Sequence, residues 1–378
     1  MRMYAENRLC VSKYLFLYTI PLVMNHRFLI LICAFVMLST TLFAQGDRKD
    51  KTAVTYEELY DEPSSVNKLF VGIQPVYGEL FSTNVNAGFG AEAVYYHKDK
   101  MNFRAHFRKT YTQQFFDLAR DLAVKKSDVA NRTEVYNYYE VGATYHIRDF
   151  EESSKTKMFL YKNSYKGHKW AARVPLSAEV PCKVRKIYGA RLGGILWDSS
   201  TDIGRALDKQ GLTNDDLKTA EGVSLPRTIF KEGREESLDV FSNISSKGLY
   251  VGGSMTWIKN VAVDFDKFEE GIDDLIFTVY ADILVSPAID IDNVVYTSTD
   301  PASPNLGTQT YSVSPLKTKM LGFRVGMDGR FNRMFSWAYG AEVGYRPSLE
   351  GRSFYAVFKI SFPVFGTNLD YKVESFGK

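Results

Sequence analysis

From Met101 to Arg108 the chain alternates, with Met101, Phe103, Ala105 and Phe107 on one parity and Asn102, Arg104, His106 and Arg108 on the other. Successive side chains of an extended strand point to opposite faces, so a period of two sets such a segment between apolar and polar surroundings. The pattern recurs. Over 335–346 the odd positions are Phe335, Trp337, Tyr339, Ala341, Val343 and Tyr345, facing Ser336, Ala338, Gly340, Glu342, Gly344 and Arg346. Over 353–362 the apolar set is Phe354, Ala356, Phe358, Ile360 and Phe362. Ten strands are predicted, over 68–77, 85–97, 100–110, 133–148, 182–197, 245–258, 272–286, 317–330, 334–346 and 352–363. Between them, Phe116, Ala119, Leu122 and Ala123 stand at helical spacing, and 201–220 predicts two short helices around Gln210-Gly211.

Alternation alone fits a soluble barrel or sandwich as well as a membrane barrel, since only the orientation of the two faces differs. The strands run mostly 10 to 16 residues, longer than the common five or six and matched to a tilted membrane crossing. Aromatic residues gather near strand ends on the apolar parity: Tyr95, Tyr145, Trp257, Phe335, Trp337, Tyr345 and Phe362. An interfacial girdle requires that placement. At these residues the chain resembles bacterial outer-membrane β-barrel proteins, over roughly 67–363. The resemblance implies an all-β fold, a transmembrane antiparallel up-and-down β-barrel with long extracellular loops. Such proteins often end on an aromatic residue used in assembly; the counterpart here is Phe362, with sixteen residues still to follow.

The connections agree with that topology. If the first strand runs outward, the long connections 111–132, 199–244 and 287–316 fall outside, and the tight turns Lys98-Asp99 and Phe331-Asn332-Arg333 fall inside. Short periplasmic turns and long outer loops are the rule in such barrels. The exception is 149–181, too long for a turn, where 156–162 and 169–176 would make a further hairpin around Tyr165-Lys166-Gly167. Ten and twelve strands are both compatible with this pattern.

Ahead of the strands, Asn25-His26-Arg27 and the apolar run Phe28 to Leu38 read as a signal peptide cleaved after Ala44, with Met24 an alternative start. Residues 45–66 read as a polar N-terminal periplasmic segment and 364–378 as a C-terminal tail. The implied localisation is the cell outer membrane. After Ala44 the chain carries 43 basic and 43 acidic side chains, a balance that disfavours nucleic acid as a partner. Only Cys182 remains beyond the leader, so no intramolecular disulfide is expected.

On the polar parity lie five acids, Glu92, Glu140, Asp282, Asp328 and Glu342, and six bases, Arg104, Arg108, Arg191, Arg324, Arg346 and Lys359. Mixed signs facing a narrow interior suggest side chains that pair across it and fill it rather than a charge-selective pore. No Gly-x-Ser-x-Gly occurs, no pair of His or Cys residues has metal-ligand spacing, and Gly88-Phe89-Gly90 lacks a following helix. Asp273-Asp274 reads as a polar strand start. No catalytic, cofactor-binding or metal residue is expected. The leading expectation is a non-enzymatic barrel with a structural, anchoring or interaction role, in contact with outer-membrane lipid and an envelope protein partner. A porin-like channel for small solutes and an outer-membrane hydrolase are the alternatives.

Overall fold

A strand cannot satisfy its own backbone N–H and C=O groups, so each must pair along both edges or end in solvent. Here ten strands pair in a closed ring: β1 (Leu69–Phe81), β2 (Val85–His97), β3 (Met101–Thr110), β4 (Asn137–Leu160), β5 (Leu176–Asp202), β6 (Phe241–Ile258), β7 (Leu275–Ile291), β8 (Leu321–Phe331), β9 (Ala338–Tyr345) and β10 (Phe354–Gly366). Each is antiparallel to its sequence neighbours, and β10 returns to pair with β1, from Tyr355 opposite Phe81 to Gly366 opposite Phe70. This computed structural model describes residues 55–97, 100–111, 116–160, 176–231, 233–265, 270–298, 306–332 and 337–366. The leader through Ala44, the Lys98-Asp99 turn, Tyr165-Lys166-Gly167 and the last twelve residues of the tail lie outside them.

All ten strands predicted from alternation form, and the twelve-stranded alternative does not. Residues 149–160 and 176–181 do not make a separate barrel hairpin; they continue β4 and β5. The β3–β4 ladder stops at Met101 opposite Tyr145 and the β5–β6 ladder at Arg185 opposite Ile258. The β4–β5 ladder runs on to Leu160 opposite Leu176. The two strands therefore stand out beyond the barrel wall as a long two-stranded arm.

That arm needs a partner for its apolar face, because an isolated hairpin is marginal in water. Tyr56–Asp61 is itself a strand, not merely a polar approach to β1, and pairs with Val261–Phe265, which pairs in turn with Gly271–Asp273. Met158, Val180, Cys182 and Val184 of the arm are buried with Val261, Val263 and Phe265 of this second sheet. Polar seams flank the cluster: the Lys183 backbone N–H donates to both carboxylate oxygens of Asp61 at 3.1 and 2.9 Å. Thr156 Oγ1 donates to Asp273 Oδ2 at 2.5 Å. Cys182 packs within this cluster, and its burial pushes the thiol above its ordinary range.

The opposite end of the barrel is closed by its long connections. Helix α1 (Leu118–Lys126) starts at Asp117, whose carboxylate accepts from the Arg120 N–H and also from Asn84 Nδ2, Thr110 Oγ1 and the Tyr136 N–H. One side chain thereby caps the helix and pins its loop to the β2–β4 rim. Helix α2 (Ile203–Gln210) is capped by Asp202 and ends on Gly211 in the left-handed conformation, the conformation a glycine adopts without strain. Its Ile203, Ala206 and Leu207 are buried with Leu217, Leu225, Val294 and Tyr311 from other loops and with Phe81 and Trp197 from the barrel wall. The loops are a lid with a core.

Phe265→Ala should cost the arm and its small sheet about 3–5 kcal/mol, because the ring is buried at their contact. Limited proteolysis should then cut within 148–160 while the boiled and unboiled forms of the barrel still migrate differently on a gel. Equal protease resistance in the variant and the parent would show that the arm stands without that contact.

Candidate functional site: the barrel interior

The two faces of the barrel wall have opposite chemistry. Outward, Ile73, Val141, Leu192, Val251, Ile283 and Phe358 each expose half or more of their surface. Inward, Glu92, Arg108, Glu140, Arg191, Asp282, Arg324, Asp328 and Arg346 are buried. Arg104, Glu342 and Lys359 join them, their side chains 13, 9 and 12% exposed. All eleven charged residues taken from the polar parity thus point into one space.

They meet across it. Arg104 Nη1 lies 2.6 Å from Asp328 Oδ2, joining β3 to β8, five strands apart in a ring of ten. Arg324, also on β8, donates to Glu140 on β4 at 2.9 and 2.6 Å and to Asp282 on β7 at 2.8 Å. Arg346 meets Glu79 at 2.5 Å, and Lys359 meets Asp328 at 3.0 Å and Glu92 at 3.4 Å. Arg191 Nε sits 3.0 Å from Asp282 Oδ1 but without hydrogen-bond alignment, so this is a charge contact. Aromatic faces complete the packing: Arg191 lies 3.9 Å over the Tyr280 ring, Arg108 4.0 Å over Tyr138, and Arg346 4.2 Å over Tyr355.

Glycines on neighbouring strands make this filling sterically possible. Gly142 and Gly193 stand opposite one another on β4 and β5, and a Cβ on either would collide with the Tyr250 ring. Gly252 leaves room for the Asp282 carboxylate in the same way. The cavity left among Arg104, His106, Arg108, Glu140, Tyr280 and Lys359 is about 10 Å³, room for roughly one water.

Two members of the network escaped the sequence reading. Glu79 lay beyond the strand predicted over 68–77, and parity would not have recovered it: the β1–β2 register shifts between Gln74 and Tyr77, so Pro75 and Val76 both face outward and Tyr77, Glu79 and Phe81 face inward. Strict alternation from Leu69 puts Glu79 on the wrong face; the proline within a strand was the available signal of a bulge. Arg330 lies one step beyond Asp328 on the same parity and meets Glu92 at 3.9 Å. The interior tyrosines carried no such signal, since tyrosine stands on both faces here.

Aromatic residues ring both ends of the outer wall. At the end where β1 begins, Tyr95, Tyr145, Trp337 and Phe362 are exposed, with Tyr95 stacked on Phe103 at 6.4 Å. Trp257, at the same end, is half-buried against the arm and 6.0 Å from Phe277. Tyr345 belongs to the loop end, between Phe323 and Phe354 at 5.3 and 5.9 Å. Phe335 lies outside the described residues.

Chemically, these carboxylates and guanidiniums are committed to one another. Among the described residues no group of His, Cys, Asp and Glu side chains is arranged to hold a metal ion. His106 Nδ1 lies 3.6 Å from Glu92, and both are buried in the interior. The chain matches no known family model, and no curated protein shows significant similarity to it.

Arg324→Met leaves Glu140 and Asp282 buried without their shared partner and should cost about 3–5 kcal/mol. The urea midpoint of the refolded barrel measures this. Lys155→Gln is the comparison, because the Lys155–Glu179 pair at 3.8 Å is some 70% exposed on both sides and should leave the midpoint unchanged. An Arg324→Met midpoint equal to that of the parent would mean the interior ion pairs do not hold the strands.

Proposed function

We propose that this chain is an outer-membrane β-barrel with a structural, anchoring or interaction role, exported through a cleaved leader and closed to solute passage by its own ion pairs. The observation that carries the reading is the 2.6 Å contact between Arg104 and Asp328, which joins opposite walls through the centre of the barrel. A side-chain bridge there supports an interior filled by side chains rather than an open aqueous path.

The membrane part of the reading rests on the inverted wall. A soluble barrel buries its apolar residues and exposes its charges; here the large aliphatic side chains cover the outside and the charges fill the inside. Soluble monomers rarely expose apolar patches beyond a few hundred Å², whereas a lipid-facing barrel requires such a belt and a closed hydrogen-bond ladder within it. No helix among the described residues is long and apolar enough to cross a membrane, so any crossing by the described residues is made by the strands. The interaction part rests on what surrounds the barrel. The lid carries a polar cleft of about 390 Å³ between α1, α2 and 213–241, and the arm stands free of the wall at the other end.

Purified protein in a planar bilayer should give no stable open channel. A sustained conductance well above that of the empty bilayer would reject the closed interior and favour a pore. Val141→Arg tests the outer face separately. Residue 141 lies between Tyr139 and Tyr145 on β4 and is 65% exposed, so an arginine there should cost roughly 2–4 kcal/mol in a bilayer and lower the yield of folded barrel in vesicles. A Val141→Arg barrel that assembles as well as its parent would mean that this wall faces water.

A further inference from the structure

Most glycines in the barrel wall are required by a close neighbour, but Gly78, Gly194 and Gly253 are not, and of these Gly194 lines a groove. A Cβ built there would meet only the Gly248 carbonyl oxygen at 3.7 Å and Leu249 Cδ2 at 3.9 Å, which is ordinary van der Waals contact. Glycine in a strand interior weakens the strand and packs nothing, and it often marks a place where a ligand approaches the backbone closely. On the outer wall, Gly194 forms the floor of a groove of about 420 Å³ whose sides are Tyr139, Val141, Leu196 and Leu249. The lining is almost wholly apolar. It has one charge, Lys247, which shares the outward parity of Leu249 and stands opposite Leu196, one layer nearer the loop end. Lys247 forms no ion pair with another described residue; Asp198, above it, feels its charge without reaching ion-pair distance.

An apolar channel along the wall that ends at an ammonium group matches one chemistry: a hydrocarbon chain joined to an anionic head. We propose that the groove over Gly194 seats one acyl chain of a phosphate-bearing lipid from the leaflet at the loop end, with the phosphate on Lys247. The assignment rests on the membrane reading above. Hydrocarbon from a lipid fills the groove without desolvating any polar group, and the lysine supplies a charge-assisted contact to phosphate. A lipid held this way is bound at a fixed position on β4–β6 rather than exchanging as bulk solvent.

The test uses the full chain refolded into nanodiscs of phosphatidylcholine with a minor fraction of phosphatidylglycerol. Released protein is weighed by native mass spectrometry. One retained phosphatidylglycerol per chain is expected. Gly194→Phe, which fills the groove, should abolish the retained lipid, and Lys247→Gln should lower the preference for phosphatidylglycerol about tenfold, the loss of one charge-assisted contact. Ala356→Phe on β10, on another part of the outer wall, should change nothing. Equal retention in the Gly194→Phe variant, or equal retention of both lipids by the parent, would overturn the proposal. So would a dimer that Gly194→Phe converts to monomer, since a second copy would then occupy the groove. Failure of the parent to enter nanodiscs as a heat-modifiable barrel would instead refute the membrane reading on which the groove depends.

Discussion

Charge removed from water is the constraint on which the barrel depends. Each carboxylate or guanidinium taken into a water-poor interior loses several kcal/mol of solvation, which only a well-placed partner offsets. Arg324 answers this with one guanidinium serving Glu140 and Asp282 on strands four and one positions away around the ring. Such pairing acts on the whole sheet. A one-residue slip of any strand would turn its charges to the outer wall and its aliphatic residues inward. The register is therefore fixed from inside by electrostatics and from outside by the apolar belt, and the two requirements select the same alignment.

Size complementarity follows from that filling. Large rings can lie over the inner wall only where the neighbouring strand is thin, and a tyrosine paired with a glycine on the adjacent strand recurs at Tyr250 with Gly193 and at Tyr280 with Gly326. Glycines that look like weak points in a strand are the reason the interior can be dense. Gly78, Gly194 and Gly253 break the rule by facing outward with space around them, and among them Gly194 is the one that lines the groove between Tyr139, Val141, Leu196 and Leu249.

The strand ladder was legible in the sequence because period two is a strong and repeated signal, and the eleven interior charges were legible because each lies on the polar parity of its own strand. Three things were not. Glu79 was lost because the first strand was predicted to stop at Tyr77, and the Pro75 bulge would have put it on the wrong parity in any case. The arm was read as an awkward connection because residues 149–181 lack the barrel's clean alternation: one face packs Met158, Val180 and Cys182 while the other meets water and carries Lys157 and Glu179. The strand Tyr56–Asp61 was read as a polar approach because it is mostly exposed, and its pairing with Val261–Phe265 lies some two hundred residues away. Long-range pairing of a charged edge strand leaves no local trace. By contrast, the helices at 118–126 and 203–210 were visible from apolar spacing and from the glycine that ends the second.

The arm bears on where an interaction role would lie. The barrel is complete without it: the ladders on either side of the arm end at Tyr145 and Arg185, and ring closure needs no residue beyond them. Ordering a further fifteen residues on β4 and nine on β5 costs conformational entropy, and the Phe265 cluster that offsets this cost is separate from the core under the lid. The lid differs, because its core is continuous with Phe81 and Trp197 inside the wall and so contributes to closing the mouth. Of the two ends, the one with an independent core and no part in sealing the barrel is the one whose form is free to be set by a partner. An anchoring contact made through the arm would leave the ion-paired interior undisturbed.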